Sequence, residues 1–329
     1  MTSETALVPS PRFYRSWFIN QYGHLRAFWR IVTFIVITIL LLLAIRWLDS
    51  FISFPDEGDA MFTLEGLAGS VGFTVALIAA ALITLKRIDR RPTVLLGLSM
   101  SVGWGREFLI GIAIGVVMIS INVGCLWVGG WARLTLNDLT LTLSSGVSKA
   151  LLFFLVAALL EELVLRGYIL QAFIEGSRSW IAVVLLSSVF SILHFDNPDA
   201  TVLSAFNIFL AGILLSVAYL KTRSLWLPTG LHLGWNWMQA SFWGLGVSGY
   251  HVDWSVFAAE VNGAEWISGG KFGAEASIFA TATISLASYL IWKTGKLGVS
   301  ERLASAWQEF PQGYKRSPIS ANPADHENA

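Results

Sequence analysis

The side chains best suited to chemistry in this chain begin with two adjacent glutamates inside an apolar segment. Glu161 and Glu162 are followed by Arg166. Residues four apart share one face of an α-helix, so Glu162 and Arg166 are expected to form an ion pair. Glu161 lies about 100° around the helix, has no such partner in its own segment, and is a candidate general base or acid. Taken alone, the group also fits a structural ion pair beside a helix-end glutamate.

Two further polar groups have the same four-residue spacing, Phe190 with His194 and His232 with Asn236. Each alone is compatible with helix packing, because polar side chains in apolar helices often form interhelical hydrogen bonds. Counted along the predicted helices, Glu161 and Asn236 lie at similar depths in the membrane, His232 lies nearer the cytoplasmic edge, and His194 lies farther from it. Together they form a set for hydrolysis. A carboxylate and an imidazole activate a water, while a second imidazole and an amide donate hydrogen bonds to the oxyanion.

In order and approximate spacing, these groups resemble the three motifs of the type II CAAX-prenyl-protease group, which belongs to the CAAX-protease and bacteriocin-processing family. The resemblance covers roughly residues 148–240, about a third of the chain. The matching motifs are Glu161-Glu162-x-x-x-Arg166, Phe190-x-x-x-His194 and His232-x-x-x-Asn236.

The resemblance implies an eight-helix intramembrane endopeptidase. Glu161 and His194 are expected to activate the water, and His232 and Asn236 to stabilise the oxyanion. The remaining motif residues are expected to support these groups: Glu162, Arg166 and Phe190.

A metal ion is the alternative to a mechanism that uses side chains alone. Zinc bound by His194, His232 and either glutamate, Glu161 or Glu162, has suitable ligand types. The chain lacks the H-E-x-x-H spacing that places two ligands and a base on one helix. Binding Glu161 to zinc would also consume the carboxylate needed as base. We therefore expect no cofactor, with zinc as the alternative.

The elements that position these residues are expected to be membrane helices. Of the 329 residues, 55% are hydrophobic and only 13% are charged, with a mean hydropathy of +0.63. A soluble domain normally has about 25% charged residues, so lipid must be the solvent for much of this chain. The net charge of zero argues against nucleic acid as a partner.

Apolar segments of about 20 residues, the length that crosses a bilayer, recur along the sequence. We predict an all-α polytopic membrane protein with about eight transmembrane helices and both termini in the cytoplasm. The predicted spans are roughly 28–48, 67–85, 108–129, 150–173, 180–195, 201–220, 226–246 and 277–294. Of the 22 Lys and Arg residues, this topology leaves few outside, as the positive-inside rule requires. Those outside are Arg46, Arg133, Lys149 and Lys271.

These spans divide the chain into four parts. The first is a cytoplasmic segment with helices 1–3, and the second is the catalytic core with helices 4–7. An external loop with helix 8 follows, and then a polar tail that we expect to be poorly ordered. Their bounds are 1–147, 148–246, 247–299 and 300–329. The external stretch 247–276 is hypothesised to lie along the membrane surface.

The predicted function is hydrolysis of a peptide bond in a membrane-anchored protein, prenylated or not, or in a hydrophobic peptide, at a prokaryotic plasma membrane. Two other functions fit the same residues. A catalytically silent scaffold or immunity-type regulator would keep the motifs for helix packing. A proton-coupled transporter would use Glu161, His194 and His232 as a relay, although transporters tend to contain internal repeats, and none is found here.

Overall fold

The computed structural model describes residues 17–20, 25–49, 64–100 and 103–308 of the chain. Most of them are helical, and one pair of short strands joins two loops. In chain order the main elements are α1 (Ala27–Asp49), α2 (Leu64–Ile83), α3 (Trp104–Val128), β1 (Ala132–Leu136), α4 (Leu141–Glu162), α5 (Leu170–Gly176), α6 (Ser179–Leu193), α7 (Val202–Thr222), α8 (Trp226–Trp237), β2 (Phe257–Val261), α9 (Glu265–Ser268), α10 (Ile278–Lys293) and α11 (Glu301–Gln308).

Within the described residues, five helical stretches are long and apolar enough to cross a membrane. They are Ala27–Leu48, Gly66–Ile88, Trp104–Val128, Leu141–Gly176 and Val202–Thr222. Two shorter apolar helices, α6 and α10, accompany them. The predicted fold class, an all-α polytopic membrane protein, is confirmed. The count of eight spans and the cytoplasmic location of both termini stay predictions.

The helix that contains the two glutamates is longer than the predicted span 150–173. It is helical from Leu141 to Gly176, and α4 and α5 are joined by a π-helical stretch, Leu163–Ile169. π-Helical turns inside α-helices are often found at functional sites. Two further π-helical turns are Thr84–Ile88 after α2 and Met238–Phe242 after α8. The turns after α4 and α8 directly follow helices that contain motif residues.

The loops distinguish the two ends of the helix bundle. At one end β1 pairs antiparallel with β2, which joins the α3–α4 connection to the segment after α8. The α6–α7 connection lies at the same end, because Asn197 Nδ2 donates to Ser248 O at 3.0 Å. We call this end the strand end. Within the stretch 247–276, Phe272 and Ala274 are buried in the bundle and Trp266 is exposed, and the position of this stretch along the membrane surface stays a hypothesis.

The opposite end is held together by buried arginines, and we call it the arginine end. Arg30 of α1 forms an ion pair with Asp89 at 2.6 Å, and Tyr168 donates to the same carboxylate at 2.8 Å. Glu175 of α5 forms ion pairs with Arg30 and Arg91. Buried charges are tolerated when they are paired. This network therefore ties α1 and the α2–α3 connection to the helix that contains Glu161.

The C-terminal tail, predicted to be poorly ordered from residue 300 onward, is partly helical. Glu301–Gln308 form α11, whose Leu303 and Ala306 are buried. Residues 309–329 lie outside the described part of the chain, as do residues 1–16 of the predicted cytoplasmic segment.

Candidate active site

The structure brings the three motifs together around the Glu161 carboxylate. Its Oε2 atom lies 3.7 Å from His232 Nε2 on α8 and 3.9 Å from His194 Nε2, directly after α6. α6 ends at Leu193, so His194 occupies its C-terminal cap, where the side chain reaches across to α4. The Glu161 side chain is 31% exposed, and its Oε2 has no hydrogen-bond partner among the described residues. A carboxylate oxygen therefore faces two imidazole nitrogens across a gap.

Glu162 points away from this gap and is fully buried. Its Oε1 accepts hydrogen bonds from Arg166 at 3.0 Å and from His232 Nδ1 at 3.1 Å. The expected ion pair between Glu162 and Arg166 is therefore present. The guanidinium also donates to Gly212 O at 3.1 Å and lies over the Phe190 ring, 4.9 Å from its centroid. Glu162 thus connects the buried arginine to the imidazole that Glu161 faces.

Both imidazoles are oriented through their Nδ1 atoms. His194 Nδ1 lies 2.8 Å from Phe190 O, which is a carbonyl and only accepts hydrogen bonds, so Nδ1 is the donor. His232 Nδ1 faces the Glu162 carboxylate, which pairs with Arg166 and therefore also accepts. In both rings this leaves Nε2 directed at Glu161. The same pairing of a carbonyl or carboxylate with the second ring nitrogen orients histidines in many catalytic and metal sites.

A cavity of about 550 Å³ lies beside these groups. Glu161, His194, His232 and Asn236 all contribute to its lining. Its other walls are largely aromatic and aliphatic, and include Phe73, Phe153, Phe154, Ile208 and Leu231. Apolar walls with a few convergent polar groups are typical of ligand and active sites. The predicted site residues therefore share one cavity.

Glu275 is a cavity carboxylate that sequence reasoning missed. Its Oε1 accepts from Trp235 Nε1 at 3.2 Å, and its Oε2 accepts from Ser248 N at 2.8 Å and Ser248 Oγ at 3.0 Å. Burial raises the pKa of the Glu275 carboxyl above its usual value, and the hydrogen bonds from Ser248 oppose this shift. Glu275 lies two residues before the last predicted span, 277–294, in a stretch that contains none of the three motifs.

α8, which contains His232 and Asn236, is held against α3 by glycines. A Cβ atom on Gly230 would overlap Phe108 O, and one on Gly234 would overlap Ile112 O. Gly111 and Gly115 of α3 meet α8 in the same way: added Cβ atoms would overlap the carbonyl oxygens of Leu227 and Leu231, respectively. Two small-xxx-small stripes thus place the two backbones in direct contact. The sequence contained this spacing on both helices, and the motif analysis did not use it.

Zinc, the alternative to a mechanism with side chains alone, would need His194, His232 and a glutamate as its ligands. Among the described residues, no group of three His, Cys, Asp or Glu side chains is placed to hold a metal ion. The candidate ligand atoms His232 Nε2 and His194 Nε2 lie 3.7 and 3.9 Å, respectively, from Glu161 Oε2. Glu162, the other candidate ligand, is already paired with Arg166. The mechanism proposed below uses the chain's own side chains.

Part of the chain matches a known family model. Residues 143–238 match the family model described as type II CAAX prenyl endopeptidase Rce1-like. This match confirms the resemblance drawn from the three motifs and covers all of them. No curated protein and no solved structure matches the chain.

Proposed function

We propose that this chain, with its segment 143–238 matching the type II CAAX prenyl endopeptidase Rce1-like family model, is an intramembrane endopeptidase. The main supporting observation is the convergence of His194 Nε2 and His232 Nε2 on Glu161 Oε2 at the wall of a largely apolar cavity. The apolar walls suit a membrane-anchored protein, prenylated or not, or a hydrophobic peptide. We propose a prokaryotic plasma membrane as its location.

Glu161 is the general base in this mechanism. A water between Glu161 and His194 loses a proton to the carboxylate as its oxygen attacks the peptide carbonyl carbon. His194 Nε2 carries a lone pair, because the ring hydrogen is on Nδ1 and is donated to Phe190 O. It therefore orients the water by accepting its second hydrogen. When the C–N bond breaks, Glu161 returns the proton to the leaving amine nitrogen.

His232 and Asn236 stabilise the oxyanion in this mechanism. The Asn236 amide donates one hydrogen bond. His232 has a hydrogen on Nε2 only when its ring is doubly protonated, because the Nδ1 hydrogen is donated to Glu162. Glu161 and Glu162 both lie close enough to stabilise that imidazolium. The reactive form therefore has an ionised Glu161 beside a protonated His232.

Peptide termini in the membrane proteome test the proposed activity. Cells with the wild-type protein should contain new N- and C-termini that are lost in cells with Glu161→Gln at equal abundance. Glu260→Gln changes an exposed carboxylate on β2 and serves as the matched control. Identical termini in all three strains would contradict the protease and favour the scaffold.

The proposed mechanism uses no metal ion, and elemental analysis of the purified protein tests that point. Less than stoichiometric zinc, with activity unchanged by a chelator, is the expected result. One zinc per chain whose removal abolishes cleavage would instead support the alternative with His194, His232 and a glutamate as ligands.

A further inference from the structure

We propose that the cavity receives its substrate from the non-cytoplasmic face of the membrane. The bond cleaved would then lie in an extracytoplasmic segment of a membrane-anchored polypeptide, and a cytoplasmic C-terminal tail would be excluded. The substrate class rests on the proposed endopeptidase function, whereas the direction of access does not.

The two exposed residues of the described cavity lining, Leu193 and Tyr250, lie at the strand end of the bundle. The lining there includes Asn197, Ser248 and Tyr250, which belong to the α6–α7 connection and to the segment after α8. Leu193 and Tyr250 are 63% and 38% exposed, respectively. Asn197 and Ser248 are joined by a hydrogen bond, so they form one continuous rim. The mouth of the cavity is therefore built from strand-end loops.

Toward the arginine end the cavity is closed by charged side chains that have buried partners. Glu162 and Arg166 are almost fully buried, and the Arg166 guanidinium packs over Phe190. Of the described residues in the connections α2–α3, α5–α6 and α7–α8, none lines the cavity. A substrate entering from the arginine end would have to displace this buried ion pair.

The distribution of basic residues indicates which face each end occupies. The arginine end contains many of them in or beside its connections, including Arg87, Arg90, Arg106, Arg178, Arg223 and Lys296. The strand-end half of the described chain contains few: Arg46, Arg133, Lys149 and Lys271. Cytoplasmic loops are rich in Lys and Arg. The strand end, and with it the mouth of the cavity, is therefore assigned to the non-cytoplasmic face.

The charge of the cavity lining agrees with an internal segment as the substrate. Two carboxylates, Glu161 and Glu275, contribute to the lining, and no Lys or Arg is found among its described residues. A free C-terminal carboxylate would find no unpaired cation, since Arg166 is buried with Glu162 and His232 also contacts Glu162. The lining thus favours a neutral or basic stretch of chain around the scissile bond.

Single cysteines test the direction of access. The chain has one cysteine, Cys125, so Cys125→Ser provides a cysteine-free background. Into it we place Tyr250→Cys at the mouth, Ala211→Cys in the cavity wall and Arg178→Cys at the arginine end. A membrane-impermeant thiol reagent applied to intact cells should label the first two. Arg178→Cys should be labelled only after permeabilisation.

Ala218→Cys is the matched control for the cavity wall. It lies on the same helix as Ala211, is fully buried and is not part of the lining, so it should stay unlabelled. Labelling of Arg178→Cys in intact cells, with Tyr250→Cys protected, would overturn the proposal. So would labelling of Tyr250→Cys without Ala211→Cys, because the cavity would then not be reached from that face.

Two reporters then test the substrate class. The same peptide is attached to a membrane anchor on either the cytoplasmic or the non-cytoplasmic side. Cleavage of only the non-cytoplasmic reporter, lost in Glu161→Gln, is expected. Cleavage of the cytoplasmic reporter alone would overturn the proposal. If labelling is as expected and neither reporter nor any cellular protein is cleaved, the endopeptidase function fails while the direction of access stands.

Discussion

At the scale of single residues, Glu161 and Glu162 show how neighbours in sequence acquire different roles. Glu161 faces the cavity and two imidazole nitrogens. Glu162 is fully buried and accepts hydrogen bonds from Arg166 and His232. The difference follows from the rotation of about 100° between consecutive residues of a helix. One carboxylate is therefore available for proton transfer, and the other positions the imidazole.

Substitution of each glutamate by glutamine should separate these two roles. Glu161→Gln should reduce cleavage by about 10²–10⁴-fold and leave the melting temperature close to that of the wild type, because only a proton acceptor is removed. Glu162→Gln should reduce cleavage and also destabilise the fold by about 3–5 kcal/mol, because Arg166 loses its charged partner in a buried site. Thermal melts in detergent and a cleavage assay measure both. Equal stability of the two variants would contradict the assignment.

Glu275 is expected to make stability depend on pH. Burial raises the pKa of its carboxyl above the usual 4.5, so the folded state holds this proton more tightly than the unfolded state. The stabilising contribution is then fully present below about pH 4.5 and is lost as the pH rises through the raised folded-state pKa. The Glu275→Gln variant has no carboxyl group to ionise at this position. Its melting temperature should therefore fall less than that of the wild type as the pH rises through this range.

The control for this measurement is Glu260→Gln, an exposed carboxylate on β2. It should keep the pH dependence of the wild type. If the melting temperature of Glu275→Gln has the same dependence on pH as those of the wild type and Glu260→Gln, ionisation of Glu275 does not affect stability.

At the scale of elements, the position of α8 relative to α3 sets the geometry of the site. His232 lies between Gly230 and Gly234, the two glycines whose backbone touches α3. Any side chain there would push α8 away from α3 and shift His232 relative to the glutamates of α4. The contact supplies the close approach that small residues allow between membrane helices.

Gly230→Ala should therefore impair both folding and cleavage. The added methyl group would overlap Phe108 O, a backbone atom that cannot rotate away. Overpacking of this kind typically costs about 1–3 kcal/mol. Gly124→Ala on α3 is the control, because nothing lies within 4 Å of the added Cβ. That change should be neutral or slightly stabilising; a similar loss in both variants would argue against a specific effect of the α3–α8 contact.

At the scale of the whole molecule, the two ends of the bundle differ in chemistry. The arginine end is closed by paired charges, among them Arg30 with Asp89 and with Glu175. The strand end contains the paired strands, and the mouth of the cavity opens there. The buried network fixes the helix of Glu161 at one end, so loops at the other end are free to shape the entrance.

The sequence by itself determined the fold class and predicted which residues line the candidate site. Few charges and repeated apolar segments require a membrane fold, and the spacing within each motif follows from helix geometry. The pairing of Glu162 with Arg166 was predictable for the same reason, since it lies within one helix. The periodicity of a single helix is sufficient to predict membrane spans and contacts between residues four apart.

Only the tertiary structure decided how the motifs meet and what else joins them. The end of α6 at Leu193 places His194 next to Glu161, although counting along predicted helices left their depths uneven. Glu275, Ser248 and the β1–β2 pair come from segments far apart in the chain, with no shared period to connect them. Contacts between helices depend on how side chains and backbones pack in three dimensions, and a pattern within one segment holds no information about them.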